Sequence, residues 1–139
     1  MSIGSLPSFG YNLAETILAA KTLVNGDNGK VFYLDAAGGA YTIELPSVRA
    51  GLHFRFFLQE HTPTGAITIA AGSAIIYGWI AEAEVTTNDD APGSATGTGI
   101  SNIIIGTGAD KGLFIELHCD GTSWYIMGMT ESDGDITTS

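Results

Sequence analysis

Three histidines, His53, His61 and His118, and a single cysteine, Cys119, are the side chains of this chain best suited to ligating a transition metal or acting as a nucleophile. The histidines fall on different strands or loops. No two stand at a metal-ligand spacing and no cysteine cluster accompanies them, so they read as surface or half-buried structural histidines and no zinc site is assigned. Cys119 precedes a turn, and the pattern fixes no His, Lys or helix N-terminus beside it to stabilise a thiolate; it reads as a small buried thiol. Asn88-Asp89-Asp90 and Asp133-Gly134-Asp135 offer oxygen atoms of the kind calcium takes. Neither belongs to a twelve-residue loop ending in a bidentate Glu, so they read as a solvated turn and a solvated tail. Gly97-Thr98-Gly99 and Gly106-Thr107-Gly108 lack the strand-to-helix context and the Lys of a phosphate loop and read as turns. No serine sits in a GxSxG elbow. The residues therefore assign no catalytic group, no metal and no cofactor. Trp79 and Trp124, with Tyr77 and Tyr125 close by, suit either sugar stacking or packing; on strands with one buried face, core or subunit packing is the reading taken.

The elements that carry these residues are short strands. In Leu113 to Gly128, two apolar runs meet at Asp120-Gly121, a pair suited to a tight two-residue turn. A turn centred there sets Cys119 opposite Thr122, Leu117 opposite Trp124 and Ile115 opposite Ile126 on one apolar face, while a longer loop through Ser123 would change that register. Phe114, Glu116, His118, Ser123, Tyr125 and Met127 lie on the other face, a mixed surface suited to contact with a neighbour. KVFYL and YTIELP, separated by Asp35 to Ala40, read as a hairpin. LHFRFFLQ alternates Leu52, Phe54, Phe56 and Leu58 against His53, Arg55, Phe57 and Gln59, which predicts a core strand with one largely polar side. AITIAA, AIIYGWI, AEAEVTT and ISNIII continue the pattern, and Thr16 to Val24 forms either a short helix or a strand. Thr86 to Gly99, small and polar, reads as an exposed loop. About nine short strands with glycine-rich turns predict an all-β fold: a single antiparallel β-sandwich or jelly-roll-like domain over residues 16–130. An extended N-terminal arm, 1–15, precedes it and a polar C-terminal tail, 131–139, follows.

Composition narrows the partners. The chain has 139 residues with 45% hydrophobic content, enough for one domain with a real core. Fifteen acidic against five basic side chains give a formal charge of −10, which repels nucleic acid phosphates and anionic membranes, so neither is expected as a partner. A basic partner surface would suit it. No signal-peptide pattern and no membrane-spanning apolar run appears. One cysteine cannot close an intramolecular disulfide, leaving packing or assembly to supply stability.

The segments KVFYLDAAGGAYTIELP, AGLHFRFFLQ and LFIELHCDGTSWYIMG, in that order, resemble small β-rich virion proteins of tailed bacteriophages, and most of all their head decoration, or cement, proteins. The resemblance runs from about Lys21 to Gly128. It implies a non-enzymatic protein on the outer surface of the capsid, usually a homotrimer, that reinforces contacts between major capsid subunits. DGT-Trp segments also occur in tail-fibre and adhesion domains, so a receptor- or carbohydrate-binding tail module is the alternative. Within this frame the spaced apolar residues Ile3, Leu6, Phe9 and Tyr11 of the arm, interrupted by Gly4, Pro7 and Gly10, are the expected capsid-binding residues. Phe114, Tyr125 and Met127 are the expected subunit-interface residues.

These readings predict folding without metal or disulfide. Chelator and reductant should leave the melting temperature nearly unchanged; a fall of about ten degrees with chelator would reveal a bound ion, with Asp89 and Asp90 the first ligands to test.

Overall fold

The computed structural model describes residues 13–83, 95–132 and 134–139; the arm residues Ile3, Leu6, Phe9 and Tyr11 and the acidic Asp89, Asp90 and Asp133 lie outside them. The described chain is all-β. Its strands are β1 (Ala14–Ile17), β2 (Lys21–Thr22), β3 (Val31–Leu34), β4 (Tyr41–Glu44), β5 (His53–Leu58), β6 (Ile67–Ala70), β7 (Ile76–Glu82), β8 (Ala95–Ile100), β9 (Asn102–Ile105), β10 (Phe114–Cys119), β11 (Trp124–Thr130) and β12 (Ile136–Thr138). They form a seven-stranded sheet, in the order β1-β3-β5-β10-β11-β7-β8, and a five-stranded sheet, β12-β9-β6-β4-β2. The sheets enclose one core, the sandwich expected from the alternation.

The pairing departs from the antiparallel expectation. From β1 to β6 the chain alternates between the sheets, so that β1, β3 and β5 pair in parallel in one and β2, β4 and β6 in the other. Hence β3 and β4 are no hairpin. The connection from Asp35 to Ala40 is an arch across the edge of the sandwich: Asp35 N–H donates to Ile17 O and Tyr41 N–H to Ala66 O, which commits each strand to a different sheet. Hairpin and arch present the same alternation, but in the arch Phe32 and Leu34 face Tyr41, Ile43 and Leu45 through the core instead of lying beside them. Tyr41 ties the layers together by donating its hydroxyl to Ile17 O at 3.0 Å, and burial pushes that hydroxyl up to about 12.

Stacked and tilted rings dominate the interior. Phe32 lies 5.5 Å from Phe56 and 6.2 Å from Phe54, and Phe54 lies 5.9 Å from Trp124, all fully buried. The β10–β11 hairpin pairs Cys119 with Trp124 and Leu117 with Ile126, so the turn is centred one residue later than expected, at Gly121-Thr122. Asp120 explains the shift. Its Oδ1 accepts Thr122 N–H and Ser123 N–H, both at 2.8 Å, and Gly121 takes the positive φ of 101° that the turn demands. Because the register moves by two residues, every side chain keeps its face.

Three other expectations change. Strand β1 starts inside the stretch assigned to the arm, and the ambiguous Thr16 to Val24 resolves into the end of β1 and then β2. Part of the expected Thr86 to Gly99 loop is β8, which pairs with β7. The expected polar tail contains β12, antiparallel to β9 with Ile136 buried. Asp135 anchors it by accepting the Thr130 hydroxyl at 2.7 Å and Ser132 N–H at 3.1 Å. In this polar segment, one buried aliphatic side chain and one satisfied carboxylate accompany the backbone pairing that forms the strand.

Ile136→Ala should accordingly cost about 2–4 kcal/mol in urea unfolding, the range for truncating a buried aliphatic side chain. A change within about 0.5 kcal/mol, as expected of an exposed position, would contradict this seating.

Candidate functional site

Strand parity places the inner residues of β3, β5, β10, β11 and β7 in the core and lines up their outer residues in three rows across the larger sheet. The first row is Tyr33, Phe57, Phe114, Met129 and Ala81. The second is Val31, Arg55, Glu116, Met127 and Trp79, and the third is His53, His118, Tyr125 and Tyr77. From β3 to β7 the face is about 19 Å wide at ordinary strand spacing. Several of its large apolar side chains are open to solvent: Trp79 is 68% exposed, Met127 55%, Met129 50% and Tyr125 48%. On this face the exposed large hydrophobics sit in adjoining rows, which makes it a candidate contact surface.

Phe114, Tyr125 and Met127, the residues expected at a subunit interface, all lie on this face. Reading the sequence for chemistry left out Tyr33 and Met129, treated Phe57 as part of a polar side, and grouped Trp79 with Trp124. The structure separates the tryptophans: Trp124 is fully buried and Trp79 protrudes. The parity of β3, β5 and β7 carried this signal, but it becomes a surface only when the order of strands in the sheet is known. Tyr33 stacks on Phe57 with ring centroids 6.1 Å apart, and Phe57 meets Phe114 at 5.9 Å. Gly78 takes a positive φ of 127° at the irregularity in β7, where a side chain would run into Ile126 of β11; this lets β7 lie close and hold Tyr77 and Trp79 outward.

The charged and histidine side chains of the face have local partners. Glu116 is held below its ordinary value by the His118 hydrogen bond, at 2.8 Å, which together with Arg55, at 3.5 Å, outweighs the opposing effect of burial. His53 and His118 stack at 5.6 Å with their rings 8° from parallel. Tyr125 donates its hydroxyl to Asp120 Oδ2 at 2.9 Å; the bond raises the tyrosine, while Ser123 N–H, Thr122 N–H and Tyr125 together lower the aspartate. In these three rows the charged pair Arg55 and Glu116 balances, on a chain carrying −10. The surplus acid lies elsewhere.

The remaining residues singled out for chemistry do not converge. His61 pairs with Asp110 at 2.6 Å on the surface, away from the other histidines. Cys119 is buried, with its Sγ 3.4 Å from Gly121 N. Gly106 belongs to a turn whose N–H bonds Asp135 O, and Gly97 to Gly99 lie in β8. Among the described residues, no three His, Cys, Asp or Glu side chains are grouped to hold a metal ion.

The carboxylates give stability a defined pH dependence. Glu116, and Glu15 with its Lys21 and Lys30 partners, both titrate below their ordinary 4.5 in the folded chain. Their contribution is therefore complete above about pH 4.5 and is lost as pH falls through the lowered folded values. The urea midpoint should drop between pH 5 and pH 3, and Glu116→Gln should shrink that drop without abolishing it. A variant with the same acid profile as the parent would show that the Arg55–Glu116–His118 cluster does not act in solution.

No protein-family model matches the chain and no curated protein matches it.

Proposed function

We propose that this protein is a non-enzymatic decoration, or cement, protein of a tailed-phage head, a homotrimer that binds the outer surface of the capsid and reinforces contacts between major capsid subunits. The observation that carries the reading is the broad, charge-balanced aromatic and methionine face on an otherwise acidic sandwich. Such a surface lets like-charged copies approach, since the repulsion expected of a −10 chain is weakest there. The acidic remainder is left to meet a basic shell. The arm, through Ile3, Leu6, Phe9 and Tyr11, is assigned to a groove between capsid subunits, where each anchored side chain would contribute on the order of 1–2 kcal/mol, offset by ordering of the arm. Three arms on one trimer make the attachment multivalent.

A second reading, a carbohydrate-binding tail or fibre module, draws on one observation: Trp79 protrudes beside Tyr77 and Tyr125, an aromatic arrangement on which sugar rings stack. The two readings differ in abundance. Purified particles should carry hundreds of copies for shell decoration and a few for a tail module. In reconstitution, deleting Met1 to Tyr11 should lower occupancy on undecorated capsids and their thermal stability. Unchanged occupancy would remove the arm from the contact, and a few copies per particle, with saturable glycan binding lost in Trp79→Ala, would replace the cement reading.

A further inference from the structure

A ring of three identical chains cannot use one self-complementary patch. Each chain must present two different patches, one to each neighbour. The outer sheet face carries two such patches on opposite sides. On β7, Trp79 projects with two-thirds of its surface bare. Toward the other side, beyond the first row, a hollow of about 410 Å3 opens between Tyr33, Phe57, Leu58, Gln59, Lys111 and Gly112.

The geometry points to insertion of Trp79 of one chain into this hollow of the next, closing the trimer head to tail. The inference rests on the trimeric cement reading and adds its contact. Strands β3 and β7 are four strand spacings apart, about 19 Å, so the indole cannot reach the hollow of its own chain and a second copy must supply it. The hollow is largely apolar, with Tyr33 stacked on Phe57 as one wall, and matches a flat aromatic occupant. Lys111 stands on its rim, and among the described residues its ammonium makes no hydrogen bond or ion pair; over an inserted indole it gains a cation–π contact. The rows between the two patches are the charge-balanced ones, so approach along this face brings few of the chain's surplus carboxylates together. Tryptophan is also among the residue types enriched where a single side chain dominates an interface.

The contact is tested by complementation. Wild-type protein at tens of micromolar should scatter light as a trimer, and its tryptophan emission should shift to longer wavelength on dilution to monomer as Trp79 meets water. Trp79→Ala removes the projection and keeps the hollow; Tyr33→Asp spoils the hollow and keeps the projection. Both positions are exposed, so each variant should melt as the wild-type monomer does and remain monomeric alone. Mixed in equal amounts, they should form a heterodimer of twice the monomer mass and no larger species, because only one good projection and one good hollow can meet. A trimeric single variant, a mixture that stays monomeric, or a monomeric wild type overturns the inference. Capsid binding is scored separately. A Trp79→Ala trimer that still decorates capsids removes this contact and leaves the cement reading intact; a Trp79-dependent trimer that binds no capsid does the reverse.

Discussion

The outer face of the larger sheet depends on the ring contacts at the centre of the molecule. Phe32, Phe54, Phe56 and Trp124 lie on three strands of the larger sheet and present their rings to the opposite layer. Because side chains alternate strictly along a strand, burying these four rings dictates which residues face outward: Tyr33, His53, Arg55, Phe57 and Tyr125 have no choice of side. Met127 follows Tyr125 on the same strand, and the neighbouring strands add Phe114 and Trp79 by the same rule. The outer face is thus set by the core, and its register across five strands is as fixed as the packing beneath it.

That dependence explains what the amino-acid pattern could and could not reveal. Alternation in LHFRFFLQ and in the two arms of the Asp120 turn is local, and it identified the strands and their faces correctly even where the turn was misplaced by one residue. Partner choice is not local. The VFYL and YTIE strands alternate in the same way whether they lie side by side or face each other across a core, so the arch through Ala36 and the parallel winding of β1 to β6 were invisible. The expected face therefore consisted of one hairpin, Phe114, Tyr125 and Met127, when the sheet order extends it to Tyr33 on one side and Trp79 on the other.

Segments with weak apolar signals were under-read for a related reason. In ITTS the pattern holds one aliphatic residue, and in ATGTGI glycines replace the side chains that define alternation. Backbone pairing seats both. Ser139 O accepts Ser101 N–H and Asn102 N–H, and Ile136 fills a place already shaped by β9. Such edge strands gain their order from a neighbour's unsatisfied backbone groups, a need that composition cannot display.

The electrostatics follow the same division between inside and outside. Acidic groups with structural duties have local partners: Asp27 is pushed up by burial yet held low overall by Lys30 and by Val24 N–H, and Asp135 accepts two bonds beside β12. Glu116, within the outer rows, is neutralised by Arg55 and bonded to His118. Charge left over is thereby kept off the sheet face, where a large single-sign field would oppose association of like chains. For a chain this acidic, a surface that is both apolar and locally balanced is costly to leave in water and cheap to cover with a copy of itself. The same property makes it poorly matched to a strongly basic shell. The sheet face and the acidic remainder are accordingly suited to different partners, and under the proposed function a division between self-contact and capsid contact would follow from where Arg55, Glu116 and His118 sit.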